Sequence, residues 1–228
     1  MALNLQTFKT RTLTAIVFAA VMLGGLFINP YAFMALFTII AVGCSMEYAK
    51  IIRQIDYDKR YSALPFAFIY ILIPIFLIVN LGVEATGDTI QLKPLFPAAI
   101  LFSIWINDTM AYIVGSFIGK TPFSKISPKK TWEGTIGGAV LCVLLITLLF
   151  SKTSLFPNDL ATTDWIVISS LCAVFGTLGD LFESKLKRMA GIKDSGHFMP
   201  GHGGFLDRFD SLLFAAPAVA LYVKYFLQ

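Results

Sequence analysis

The sequence predicts an all-α integral membrane protein, a polytopic bundle of about seven transmembrane helices with a polar site on its cytoplasmic side. Three observations predict it. The 228 residues are 57% hydrophobic and only 14% charged, whereas soluble domains carry about 25% charged residues. Apolar runs long enough to cross a bilayer, for which a helix needs roughly 20 residues, recur along the chain. All but three of the 18 lysines and arginines fall before the first of those runs or in alternate connections between them, the asymmetry that fixes orientation in a membrane.

The spans are expected at 13–29, 31–49, 64–83, 96–119, 134–150, 165–184 and 209–226. The first follows a short basic start, lacks a small-residue cleavage site and is followed by further spans. It therefore reads as a retained helix rather than a signal peptide. Pro30 marks the turn into the second span, Pro74 a kink in the third and Pro97 the start of the fourth. Tyr, Trp and Phe gather near several ends, as interfacial anchors do. Cys44, Cys142 and Cys172 lie inside apolar runs without metal-ligand or redox spacing, so they are expected to be packed thiols. With no internal repeat, low-complexity tract or soluble region, 1–228 reads as a single transmembrane domain.

Orientation follows from the cations. Lys9 and Arg11 precede the first span. Lys50, Arg53, Lys59 and Arg60 follow the second, and Lys120, Lys125, Lys129 and Lys130 follow the fourth. Lys185, Lys187, Arg188, Lys193 and Arg208 lie between the sixth and seventh. Only Lys93, Lys152 and Lys224 oppose them. The amino terminus and these connections are therefore expected in the cytoplasm, and the carboxyl terminus outside. The polar stretch SPKKTWEG, residues 127–134, then shares the cytoplasmic side with the connection 185–208.

Topology explains the basic charge but not the acids and glycines beside it. Asn107 and Asp108 sit midway along the fourth span, with Gly115 and Gly119 further on, where glycines allow close helix packing. Asp180, Glu183, Ser184 and Lys187 share one helical face at the end of the sixth span. Glu183 and Lys185 have the simpler account of a solvated helix end. In the stretch that follows, Gly196, Gly201, Gly203 and Gly204, with Pro200, are expected to let the backbone take positive φ and approach a ligand. Asp207, Arg208 and Asp210 reopen a helix. Asp180 and Asp207, from different helices, suit a hard cation such as Mg²⁺ held by oxygen ligands, and the surrounding Lys and Arg suit phosphate oxygens. His202 is placed to donate a hydrogen bond to phosphate or hydroxyl, whereas His197 reads as a loop residue. No Walker A loop, Rossmann glycine pattern or serine-hydrolase elbow occurs. The residues describe a metal-assisted phosphate site in a membrane bundle, with no nucleic-acid partner expected.

Residues 184–210, SKLKRMAGIKDSGHFMPGHGGFLDRFD, closely resemble the signature of the phosphatidate cytidylyltransferases, also called CDP-diacylglycerol synthases. The matching positions are Ser184, Lys187–Arg188, Lys193–Asp194, Pro200, His202–Gly203–Gly204, Asp207–Arg208 and Asp210. NDTMAY, SPKKTWEG and GDLFES resemble upstream motifs of the same family. The resemblance covers 96–228 and, more weakly, the first two spans. Met199 replaces a Leu, Ile or Phe, and Ser116 stands where relatives often carry a basic residue. The chain is also shorter than the family pattern between the second span and Tyr61, where a further pair of helices is expected.

The resemblance implies that CTP and phosphatidate react to CDP-diacylglycerol and pyrophosphate in a bacterial inner membrane. It also implies a Mg²⁺ requirement, with a second metal ion left open, and a homodimer. Within it, Asp180 and Asp207 are expected to carry metal. Asp108, Ser184, Lys187, Arg188, Asp194, His202 and Asp210 are expected to serve the chemistry. Lys129, Lys130, Lys193, Gly203, Gly204 and Arg208 are expected to bind substrate. A multispan lipid transporter or flippase, or a shortened inactive relative, are the rival readings.

Overall fold

The computed structural model describes residues 5–55, 65–152, 159–196, 198 and 203–227. Among them are seven helices: α1 (Leu5–Phe27), α2 (Pro30–Gln54), α3 (Pro65–Gly82), α4 (Leu95–Ile118), α5 (Trp132–Lys152), α6 (Thr162–Met189) and α7 (Leu206–Tyr222). The last winds on as a π-helix over Val223–Leu227. Six of them, α2 to α7, are long and apolar enough to cross a membrane, while the apolar part of α1, Thr12–Phe27, is shorter. The chain is a multi-pass membrane protein.

Local chemistry sets several boundaries. Asn29 caps α2 by accepting the Ala32 N–H at 2.8 Å, and Pro30 occupies the first turn, where its missing N–H costs nothing. Pro74 cannot donate to the preceding turn, and the helix ahead of it is wound as a π-segment over Phe68–Leu72. The sequence reading passed over a hairpin between α3 and α4: β1 (Val83–Thr86) pairs antiparallel with β2 (Thr89–Leu92). Gly87, at φ +60°, makes the two-residue turn, and Lys93 pairs with Glu84.

α6 extends five residues beyond the apolar span expected to end at 184, because KLKRM are all good helix formers. Gly191, at φ +70°, then ends it. The Gly191 N–H reaches the Arg188 carbonyl at 3.2 Å, and the Ile192 N–H reaches that of Lys187 at 2.9 Å. That pair of bonds is a Schellman cap. Lys187 and Arg188 therefore belong to the last helical turn, where cations favour the dipole, and not to the connection.

The chain forms two compact units, Met1–Pro94 with Leu186–Phe209, and Leu95–Lys185 with Asp210–Gln228. In the first, Phe33, Phe37, Tyr48, Ile52 and Ile78 are buried, and the Phe33 ring presses so closely on Gly82 that a Cβ there would overlap it. In the second, α4 and α5 meet backbone to backbone. A Cβ on Gly134 would lie 2.7 Å from the Ala111 carbonyl oxygen and 2.9 Å from the Gly115 Cα, and one on Gly138 would lie 2.7 Å from the Ala111 Cα. Such small-residue seams are how helices associate where lipid removes the hydrophobic drive. Trp165 and Phe150 are also buried in this unit, with ring centres 4.8 Å apart. Cys44, Cys142 and Cys172 are buried thiols outside any disulfide.

Candidate functional site

In the second unit, Asp180, Glu183 and Asp210 each offer a carboxylate oxygen within 4.8 Å of the others. Two features place them together. Asp180 and Glu183 are one helical turn apart on α6. Gly179 lets α7 approach so closely that any Cβ there would strike the Asp210 carbonyl. Glu183 is fully buried and Asp210 is 7% exposed. Three carboxylates this close, two of them buried, repel one another strongly when all are ionised, a repulsion that a bound cation or a retained proton relieves. Lys130 supplies one positive charge by pairing with Asp180, and the Ser184 hydroxyl reaches Asp180 Oδ1 at 3.5 Å. This oxygen-only donor set fits Mg²⁺.

Lys130 is delivered by the connection between α4 and α5. Ser127-Pro128-Lys129-Lys130 forms a β-turn with proline at its second position, closed by Lys130 N–H to Ser127 O at 3.1 Å. The Phe123 and Trp132 amides bond across to Lys130 O and Thr121 O at 2.8 and 3.0 Å. The Glu133 carboxylate accepts from the Lys120 and Thr121 amides at 3.1–3.2 Å. Phe123 and Trp132 meet edge to face at 4.5 Å. Lys129, one residue from Lys130, is exposed.

In the first unit, Asp207 Oδ1 accepts from Lys187 Nζ at 2.6 Å. Its Oδ2 accepts from the Ser195 amide at 2.9 Å and the Gly204 amide at 2.8 Å, with the Ser195 hydroxyl oxygen 3.0 Å away. Of the two acids expected to carry metal, Asp180 sits with Glu183 and Asp210 in the second unit, and Asp207 belongs to the first, with Lys187 and the amides of Ser195 and Gly204. Gly203 has φ +83°, as expected, but Gly196 and Gly204 do not take positive φ. They are needed for space, since a Cβ on either would collide with the Glu47 carboxylate.

Arg188 Nη1 donates to Ile192 O at 3.1 Å and is exposed, as are Lys193, Asp194 and Arg208. Asp108 is exposed beside a buried Asn107. His197, Met199, Pro200, Gly201 and His202 lie outside the described residues, as do Lys59, Arg60 and Tyr61. Two residues were missing from the expected site. Glu183 carried a signal, its spacing of three from Asp180, but that was outweighed by the solvated-end account. Glu47 lies in the second span and carried only the general one of an acid inside an apolar run.

A profile of the cytidylyltransferase family matches residues 95–226, more than half the chain, and the chain belongs to that family. It is 47% identical over 119 residues to phosphatidate cytidylyltransferase 4, chloroplastic, of Arabidopsis thaliana, a match covering 52% of this chain and 29% of that one. It is 45% identical over 117 residues to the phosphatidate cytidylyltransferase of Staphylococcus haemolyticus, covering 50% and 43%. With the Bacillus subtilis protein of the same name it shares 44% over 131 residues, covering 57% and 47%. The chain thus spans less than half the length of these curated relatives.

Proposed function

We propose that the protein transfers the cytidylyl group of CTP to phosphatidate, giving CDP-diacylglycerol and pyrophosphate. The observation that carries this reading is the carboxylate cluster of Asp180, Glu183 and Asp210 with Lys130 at its edge, on motifs of a cytidylyltransferase. In the reaction, a phosphate oxygen of phosphatidate attacks the α-phosphorus of CTP. The bond to the β-phosphate's bridging oxygen breaks, and pyrophosphate leaves with that electron pair. A divalent cation held by Asp180, Glu183 and Asp210 would supply positive charge to the phosphate oxygens. The chain's own cations do related work. Lys130 neutralises charge that builds on the triphosphate, and the ammonium of Lys187 is held in place by Asp207. Arg188, Lys193 and Arg208 remain exposed for phosphate contacts, and Asp108, Asp194 and His202 are assigned to orienting substrate.

Purified protein in detergent should convert phosphatidate in a CTP-dependent way, lose that activity in EDTA and recover it with Mg²⁺. Turnover indifferent to EDTA would remove the metal from this reading, and no turnover would remove the reaction. The reading includes a cytoplasmic site, supported by the skew of cations. A cysteine at Lys193 should resist impermeant reagents on intact cells while one at Asp88, in the hairpin, reacts. It also includes a homodimer, which light scattering of the detergent-purified protein would test against a monomeric mass.

A further inference from the structure

Glu47 is an acid in the last third of the apolar helix α2, 6% exposed, and it lies outside residues 95–226. A carboxylate there is costly unless hydrogen-bonded. Its Oε2 accepts from the Ser195 hydroxyl at 2.6 Å and from the Leu206 amide at 2.9 Å, partners 148 and 159 residues away. Those residues bracket the segment 195–206. The Leu206 amide is one of the orphan donors at the start of α7, so a side chain of α2 caps that helix from outside. The Ser195 hydroxyl also lies 3.0 Å from Asp207 Oδ2. A hydroxyl has one proton to donate, and the shorter contact is to Glu47. The Ser195 amide, 2.9 Å from Asp207 Oδ2, makes the bond on that side, so Ser195 links Glu47 to the Asp207–Lys187 pair.

From this geometry we propose that Glu47 is a positioning residue. Its carboxylate ties the two ends of the 195–206 segment together and, through Ser195, sets the orientation of Asp207 and hence of the Lys187 ammonium. Gly196 and Gly204 press against the same carboxylate, and neither has room for a side chain. Glu47 does not itself touch substrate. The catalytic consequence rests on the proposed reaction, whereas the tethering does not.

The test compares wild type with Glu47→Ala, Glu47→Gln and Ser195→Ala, each purified in detergent and checked for monodispersity. Hydrogen–deuterium exchange should rise about tenfold or more at the amides of Ser195, Gly204, Leu206 and Asp207 in Glu47→Ala, with α4 and α5 unchanged. Glu47→Gln, which keeps an acceptor oxygen, should lie between Glu47→Ala and wild type. In the CTP and phosphatidate assay, Glu47→Ala should lower kcat roughly ten- to a hundredfold with the KM for CTP nearly constant, and Glu47→Gln should recover part of the loss. If wild type itself shows no turnover, the proposed reaction fails and the exchange measurement still decides the tether. If Glu47→Ala is not monodisperse, Glu47→Gln and Ser195→Ala decide by the same exchange. Wild-type exchange across 195–207 in the substituted proteins would overturn the proposal, as would undiminished kcat in a variant whose loop exchange has risen.

Discussion

Two polar connections carry the signature motifs, 119–131 and 190–205, and they are held in opposite ways. The first is stitched by its own neighbours: a proline turn, a cross-loop bridge and the Glu133 carboxylate, which reaches back 12 and 13 residues. The second has one stitch of similar span, Asp207 12 residues from Ser195, but its described ends also meet on Glu47, 148 and 159 residues away. A locally stitched loop can lose one bond and keep the rest. A segment whose two ends meet on one distant carboxylate loses both attachments with it.

The largest effect should come from the buried charge pair of the second connection. Asp207→Asn takes a carboxylate from the largely buried Lys187 ammonium, and removing one partner of a buried pair costs about 3–5 kcal/mol. Thermal stability in detergent should drop clearly and cytidylyl transfer should disappear. An Asp207→Asn protein with wild-type melting and turnover would erase the distinction between the loops. Next comes Lys130→Gln in the stitched loop. The fold should hold, but a lost charge-assisted phosphate contact of about 1.5–3 kcal/mol lowers kcat/KM roughly ten- to a hundredfold. Lys129→Gln, one residue away and exposed, should leave kinetics near wild type; equal losses at both would make the pair topological charge alone. The smallest effect should follow Glu133→Gln, since an amide oxygen can still accept from the Lys120 and Thr121 amides. Its kcat/KM should fall less than that of Lys130→Gln, and a larger fall would show that the loop depends on a single stitch after all.

The same contrast explains what the sequence discloses. The helices were legible because lipid demands long apolar runs, and the Ser-Pro-Lys-Lys turn because proline fixes its own φ. Asp180, Lys130 and Asp210 were legible as polar groups at helix ends. Which acids share a cluster was not, because that depends on the depth to which α7 settles against Gly179, a contact between distant segments. Glu47 was illegible for the same reason. The length of α6 was misjudged because hydropathy marks where lipid ends, and the helix continues until Gly191 turns it.

The seam between α4 and α5 has a mechanical consequence. Where Gly134 and Gly138 lie against Ala111 and Gly115 no rotamers stand between the backbones, so the joint has no compliance. A layer of leucines absorbs a new methyl by turning a side chain, whereas this seam can accept one only by moving a whole helix. The connection 119–131 is strung between the ends of these two helices, and any such shift would be passed undiminished to both of its anchor points. The seam thus acts as a gauge that sets the tolerance to which Lys130 is placed.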